Sequence, residues 1–288
     1  GECETMTISV TLLGTGSPIP SAERAGPATL ISAGDEHYLV DAGRGVLMRL
    51  AGIWLGAGNL NGVLLTHLHS DHFTDLNDVI TSYWILGPPE KPLTIVGPAG
   101  TQEVVDSILA SLSRDVQYRM EHHDDLNNPP LLNVIEVTEG LVSLEGEVSI
   151  KCAPTDHKPV EPSIAFSFSH NEVSVVTAGD TLPCAGLDSL CDGADALVHT
   201  VIRKDIIQFS PNPRGLDILD YHSSPEEAAQ TAHRNGMSAL IMTHYVPELT
   251  MTSPAADGQD WVDLAAQHFS GQIEVGDDLH RVEISKGE

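Results

Sequence analysis

Seven consecutive residues, Thr66 to His72, read T-H-L-H-S-D-H and follow the apolar run Val63-Leu64-Leu65. Within them His67, His69, Asp71 and His72 carry imidazole or carboxylate groups, the donors that suit zinc and similar divalent ions. With Val63–Thr66 read as a buried strand, His67 and His69 leave its end two residues apart, so both side chains point the same way. A turn into a helix then swings Asp71 and His72 toward a second point close by. One short segment thus supplies two ligands to one ion and two to another. A two-ion hydrolytic site needs such a set, with the ions roughly 3.5–4 Å apart and a water between them. The pattern demands a strand feeding a helix, and so an α/β chain whose site lies at strand ends.

The H-x-H-x-D-H pattern resembles the metallo-β-lactamase superfamily. Within it, the sequence is most similar to the branch that holds ribonuclease Z-type phosphodiesterases and the related arylsulfatases. The resemblance runs almost from end to end and implies an αββα sandwich of the metallo-β-lactamase type. It also implies further ligands at strand ends. His157 follows the strand Val148–Ala153 and resembles the family's third motif, a histidine completing the first ion's shell. Asp180 ends the near-continuous apolar run Val173–Thr177 and matches the carboxylate that bridges both ions. His244 follows the strand Ala239–Met242 and matches the last ligand of the second ion. By resemblance, then, His67, His69 and His157 bind one ion, Asp71, His72 and His244 the other, and Asp180 lies between. With no cysteine in the set, two divalent ions are expected, zinc first, with manganese or iron as alternatives.

Two catalytic residues are expected. Asp71 holds or accepts a proton of a hydroxide-forming water that bridges the ions. His222 matches the family histidine that contacts the scissile group, and it stands just before a strong helix start. There Ser224 is the N-cap, Pro225 the first helical residue and Glu227 the return partner of a capping box. Asp41, closing the strand His37–Val40, matches an aspartate that supports the metal site from behind. The chain departs from the family at Thr200, where many ribonuclease Z-type sequences have glutamate after the histidine equivalent to His199. Asp205 or another acid is left open as its substitute.

Other polar features read as ordinary. Gly14-Thr15-Gly16 lacks the rest of a dinucleotide fingerprint and is followed by prolines, so a tight loop is expected. His122 and His123 sit among acids and read as surface. Helices are expected over Val46–Leu55, Leu76–Leu86 and Thr101–Leu112 from apolar spacing. Two β-α halves, about residues 6–145 and 146–288, contribute to one cleft with no flexible linker. Residues 6–288 are therefore expected to form a single metallo-hydrolase domain, and Gly1–Thr5 reads as an expression remnant.

The substrate is read from composition and length. The chain has 41 acidic and 14 basic residues, a net charge of −27, and no basic run. Proteins that hold long nucleic acids use lysine and arginine on the phosphates. The tRNA-gripping arm that ribonuclease Z-type enzymes usually carry between the third histidine and the bridging aspartate is absent, because only residues 158–179 lie there. The expectation is a small-molecule ester substrate, first a small phosphodiester, with a large nucleic acid unlikely. Sulfate ester hydrolysis, lactone hydrolysis, tRNA 3′ processing and a non-catalytic metal-binding scaffold stand as alternatives. No membrane-spanning run or secretory leader is visible, and Cys3, Cys152, Cys184 and Cys191 form no C-x-x-C pair. A cytoplasmic location and, by analogy with the family, a homodimer follow.

Overall fold

The computed structural model describes residues 7–252 and 257–286. Residues 1–6, which hold the suspected expression remnant, lie outside the described residues. The first half runs β1 (Thr7–Gly14), β2 (Ala28–Ala33), β3 (Glu36–Val40), α1 (Val46–Gly52), β4 (Gly62–Leu64), α2 (Leu76–Leu86), β5 (Leu93–Gly97), α3 (Thr101–His122), β6 (Leu132–Glu136) and β7 (Gly140–Val142). The second runs β8 (Ser149–Pro154), β9 (Ile164–His170), β10 (Val173–Thr177), α4 (Ala185–Cys191), β11 (Ala196–Ile202), α5 (Lys204–Ile207), α6 (Pro213–Asp217), α7 (Pro225–Arg234), β12 (Ala239–Val246), α8 (Leu249–Thr252), α9 (Gln259–Ala266), β13 (Gln272–Val275) and β14 (His280–Ser285).

Two seven-stranded sheets result, ordered β14-β1-β2-β3-β4-β5-β6 and β13-β12-β11-β10-β9-β8-β7. Their inner faces meet in one core, where Ile8, Val10, Ile31 and Val40 face Phe166, Phe168, Val175 and Ile241. Burying each of these side chains contributes about 1.5–3 kcal/mol. The outer faces are covered by helices. Leu50, Val79 and Ile80 pack on the first sheet, and Ala228, Ala232 and Trp261 on the second. Neighbouring residues in one strand therefore serve different cores: Leu30 faces the helices while Ile31 faces the other sheet, and Val176 and Val175 divide likewise. Burial on both faces accounts for the unbroken apolar runs in the sequence. This is the αββα metallo-β-lactamase sandwich.

The halves are less separate than the sequence suggests. β14 crosses to the first sheet and pairs antiparallel with β1, from Thr7↔Ser285 to Leu12↔His280. β7 joins the second sheet. Several boundaries also differ. α3 runs to His122, beyond the expected Leu112. Its last ten residues are mostly polar helix formers with little to bury, so apolar spacing stops before the helix does. The helix at Val46 ends sooner, at Gly52. No helix among the described residues is long and apolar enough to cross a membrane.

Candidate metal centre

Parallel strands put their ends on one side of the sandwich. β3 pairs in parallel with β4, and β10 with β11 and β11 with β12. Beyond β4, the residues Ser70–His72 form a single 3₁₀ turn. That turn gives the divergence expected of the motif: His67 and His69 face one group of donors, Asp71 and His72 another.

Two such groups lie side by side at the mouth between the sheets. His67, His69, His157 and Asp180 form one, and Asp71, His72 and His244 the other, with the donor atoms of each within 4.8 Å of one another. His67 Nε2 is 3.0 Å from His69 Nδ1, which lies 3.3 Å from His157 Nε2. Asp180 Oδ2 stands between the groups. It is 3.8 Å from His67 Nε2 and 3.9 Å from His157 Nε2 on one side, and 3.4 Å from His72 Nε2 and 3.6 Å from His244 Nε2 on the other. His244 reaches its place because the β11–β12 register slips after Thr200 and His244 itself takes φ +58. A left-handed histidine inside a strand is strained, and such strain persists only where the surroundings enforce it.

The outward-facing ring atoms are held from behind. His72 Nδ1 is 2.7 Å from Asp41 Oδ2, which also accepts from the Thr66 hydroxyl at 2.9 Å. His67 Nδ1 is 3.0 Å from that hydroxyl, and His157 Nδ1 donates to the Tyr221 carbonyl at 2.9 Å. These bonds assign a proton to Nδ1 of each ring and turn Nε2 toward the cluster. Gly179 lets the chain reach Asp180: it adopts φ +64, and a Cβ there would lie 2.7 Å from Thr66 Cβ.

Burial pushes His157 down to about 4 and also lowers His67 and His69, so this trio is neutral and able to donate lone pairs. For Asp180 burial acts upward, but His244 and His72 outweigh it and hold the carboxyl well below its ordinary range. His72 is raised well above its usual value, since Asp180 and Asp41 overcome the cost of its burial. Asp71 Oδ2, His72 Nε2, Asp180 Oδ1 and His244 Nε2 are buried with no hydrogen-bond partner. Leaving such atoms unpaired costs about 1–3 kcal/mol each, and a divalent cation is the partner these donors fit. Tetrahedral coordination at about 2.0–2.1 Å sets neighbouring donors roughly 3.3 Å apart, close to the spacing of the first trio.

His222 is also here. Its Nε2 is 3.3 Å from Asp180 Oδ2 and its Nδ1 3.0 Å from the Ile218 carbonyl. The helix start behind it forms as expected: Ser224 Oγ accepts from Glu227 N, and Glu227 returns a carboxylate to Ser224 N. Asp205 does not replace the missing glutamate. Both its oxygens bind Arg203, at 2.8 and 2.7 Å, and the carbonyl of Ile218 is what orients His222. Thr200 instead donates its hydroxyl to the Gly179 carbonyl at 2.9 Å, bracing the turn that carries Asp180. Gly14–Gly16 is a tight loop; Thr15 bonds Asp278 and accepts from Tyr245 N. His122 and His123 are exposed at the end of α3. Sequence reasoning missed Tyr221 and Ile218, which act through backbone carbonyls that no side-chain pattern reports.

The family pattern described as "Beta-lactamase superfamily domain" matches residues 36–245. A protein named Ribonuclease Z from Mycolicibacterium gilvum is 56% identical over 282 residues, covering 97% of this chain and 97% of that protein. The chain belongs to the ribonuclease Z family of the beta-lactamase superfamily. A protein named Ribonuclease Z from Mycobacterium avium is 55% identical, over 96% of this chain and 98% of its own length. Among solved structures, the fold matches human tRNase Z, short form, with a TM-score of 0.68 at 22% identity, covering 95% of this chain and 98% of that one.

These relatives correct two expectations. A small phosphodiester as first-choice substrate, and a large nucleic acid as unlikely partner, are both overturned by relatives named for action on RNA. The missing arm carried no such meaning: the mycobacterial ribonucleases Z are matched over nearly their whole length, which leaves no room for a long arm in them either. Net charge misled for a different reason. Screening confines each charge to about 8 Å, so a total of −27 says little about the surface at the mouth.

Proposed function

We propose that this protein is a ribonuclease Z, a metal-dependent endoribonuclease that removes the 3′ trailer of precursor tRNA. The observation that carries this reading is the identity above 50% to ribonucleases Z along nearly the full length of both chains. Residues 6–288 act as one metallo-hydrolase domain, and work on newly made RNA implies a cytoplasmic location.

His67, His69 and His157 would hold one divalent ion, Asp71, His72 and His244 the other, with Asp180 shared; zinc suits the imidazole-rich set best, and manganese or iron the carboxylates. Bound there, two cations would acidify a water and offset the charge that builds on the phosphoryl oxygens. The chain supplies the rest. Asp71 Oδ2 lies 3.4 Å from His244 Nε2, lacks a hydrogen-bond partner, and is placed to orient a water or take its proton. His222, fixed through Nδ1, presents Nε2 beside Asp180; in its protonated form it gives that proton toward the departing oxygen. Asp180 keeps the two halves of the centre in register.

The test uses precursor tRNA with a 3′ trailer and zinc-loaded protein. One endonucleolytic cut releasing the trailer is expected, abolished by chelator and restored by zinc. Precursor left whole by protein carrying its full metal complement would overturn the reading.

A further inference from the structure

Beside the His69 and His157 end of the centre lies a cavity of about 380 Å³. Its lining includes His69, Lys158, Asp217, Asp220 and Tyr221. The volume falls within the range of about 300–1,000 Å³ typical of small-ligand sites. We infer that this cavity is a nucleotide subsite: it takes the base next to the scissile phosphate, stacks it on Tyr221 and reads its exocyclic amine with Asp217 and Asp220. The inference rests on the proposed ribonuclease activity and names which part of the RNA this wall of the site would grip.

Tyr221 is fixed rigidly enough to serve as a platform. Its ring lies 4.7 Å from that of His222 and 5.2 Å from that of His157, tilted 44° and 75°, and its carbonyl anchors His157. An aromatic ring against the metal-binding histidines therefore presents its remaining surface to the cavity. Base stacking on such a ring tolerates any base. The acids add selectivity. Asp217 and Asp220 are exposed at the end of α6 and in the turn after it. A carboxylate accepts from the amine of cytosine, as it would from any exocyclic amine, and finds no donor in the corresponding carbonyl of uracil. Two carboxylates also repel a phosphate, so the cavity suits the base and not the backbone. Lys158, whose side chain is 70% exposed and whose only ion pair among the described residues is with exposed Glu161, is the cation on the rim that fits the backbone.

The experiment uses the full chain stripped of metal and an RNA with 2-aminopurine placed in turn on either side of the cleavage position. Binding to native protein is expected to quench the fluorophore several-fold at one of the two placements, and Tyr221→Leu to remove the quenching. With the zinc-loaded protein, precursors bearing cytosine or uracil at that placement should differ about tenfold in kcat/KM. The Asp217→Asn, Asp220→Asn double variant should bring that ratio close to one. No quenching at either placement, quenching that survives Tyr221→Leu, or a base preference unchanged in the double variant would each overturn the subsite. A native protein that cuts no precursor tRNA would instead remove the ribonuclease reading beneath it.

Discussion

Asp41 and His72 meet through a 2.7 Å contact between Oδ2 and Nδ1, while the other oxygen of Asp41 accepts from Thr66 N at 2.8 Å. One carboxylate at a strand end thus fixes both the tautomer of His72 and the start of the segment that carries the candidate ligands. Removing such a partner typically lowers metal affinity 10–100-fold. Asp41→Asn should do so for zinc, measured by chelator competition, with far-ultraviolet circular dichroism unchanged. Affinity equal to native would show that Asp41 only ties the loop.

Gly179→Ala tests the close approach beneath Asp180. The new methyl would meet Thr66 Cβ at 2.7 Å from a backbone at φ +64, a conformation that alone costs an L-residue roughly 1–2 kcal/mol. We expect a loss of about 2 kcal/mol or more in urea unfolding and weaker metal retention. A variant as stable as native would mean that Thr66 yields easily.

Ser224→Ala removes the cap of α7 and should cost about 1 kcal/mol. Because His222 lies just ahead of that cap, RNA cleavage should fall more than zinc binding does. Comparing kcat with metal content separates the two effects, and an equal fall in both would contradict the placement of His222.

His199 supplies a pH signature. It is fully buried, its Nδ1 donates to the Thr200 carbonyl at 2.7 Å, and burial pushes it down to about 4. The unfolded chain binds this proton near pH 6.5, the folded chain only near 4. The contribution is therefore complete above about pH 6.5 and lost as pH falls toward 4, amounting to about 3 kcal/mol. Difference curves of stability against pH, native minus His199→Gln, should slope only in that window. A flat difference would show that His199 does not titrate with unfolding.

Much of this was legible in the sequence for identifiable reasons. The candidate ligands from His67 to His72 are local, so their spacing on a strand end and a turn fixed where they point. Asp180 could be placed because Val173–Thr177 is apolar enough to be a strand buried on both faces, and the residue after its glycine must emerge at the rim. His157 and His244 needed the family resemblance, since a lone histidine after a strand has many uses. The pairing of β14 with β1 depends on residues nearly the length of the chain apart and leaves no local trace. β6 and β7 are short, partly exposed strands with no clean alternation. The substrate was misread because a total charge and a missing insertion were asked to describe one wall of one cleft.

The number of zinc ions bound per chain tests the account most directly. Elemental analysis of protein loaded with zinc and freed of excess should give two ions for the native chain and fewer than two for Asp180→Ala. Native protein that saturates with a single ion, or a variant that retains both, would contradict a paired centre built around Asp180.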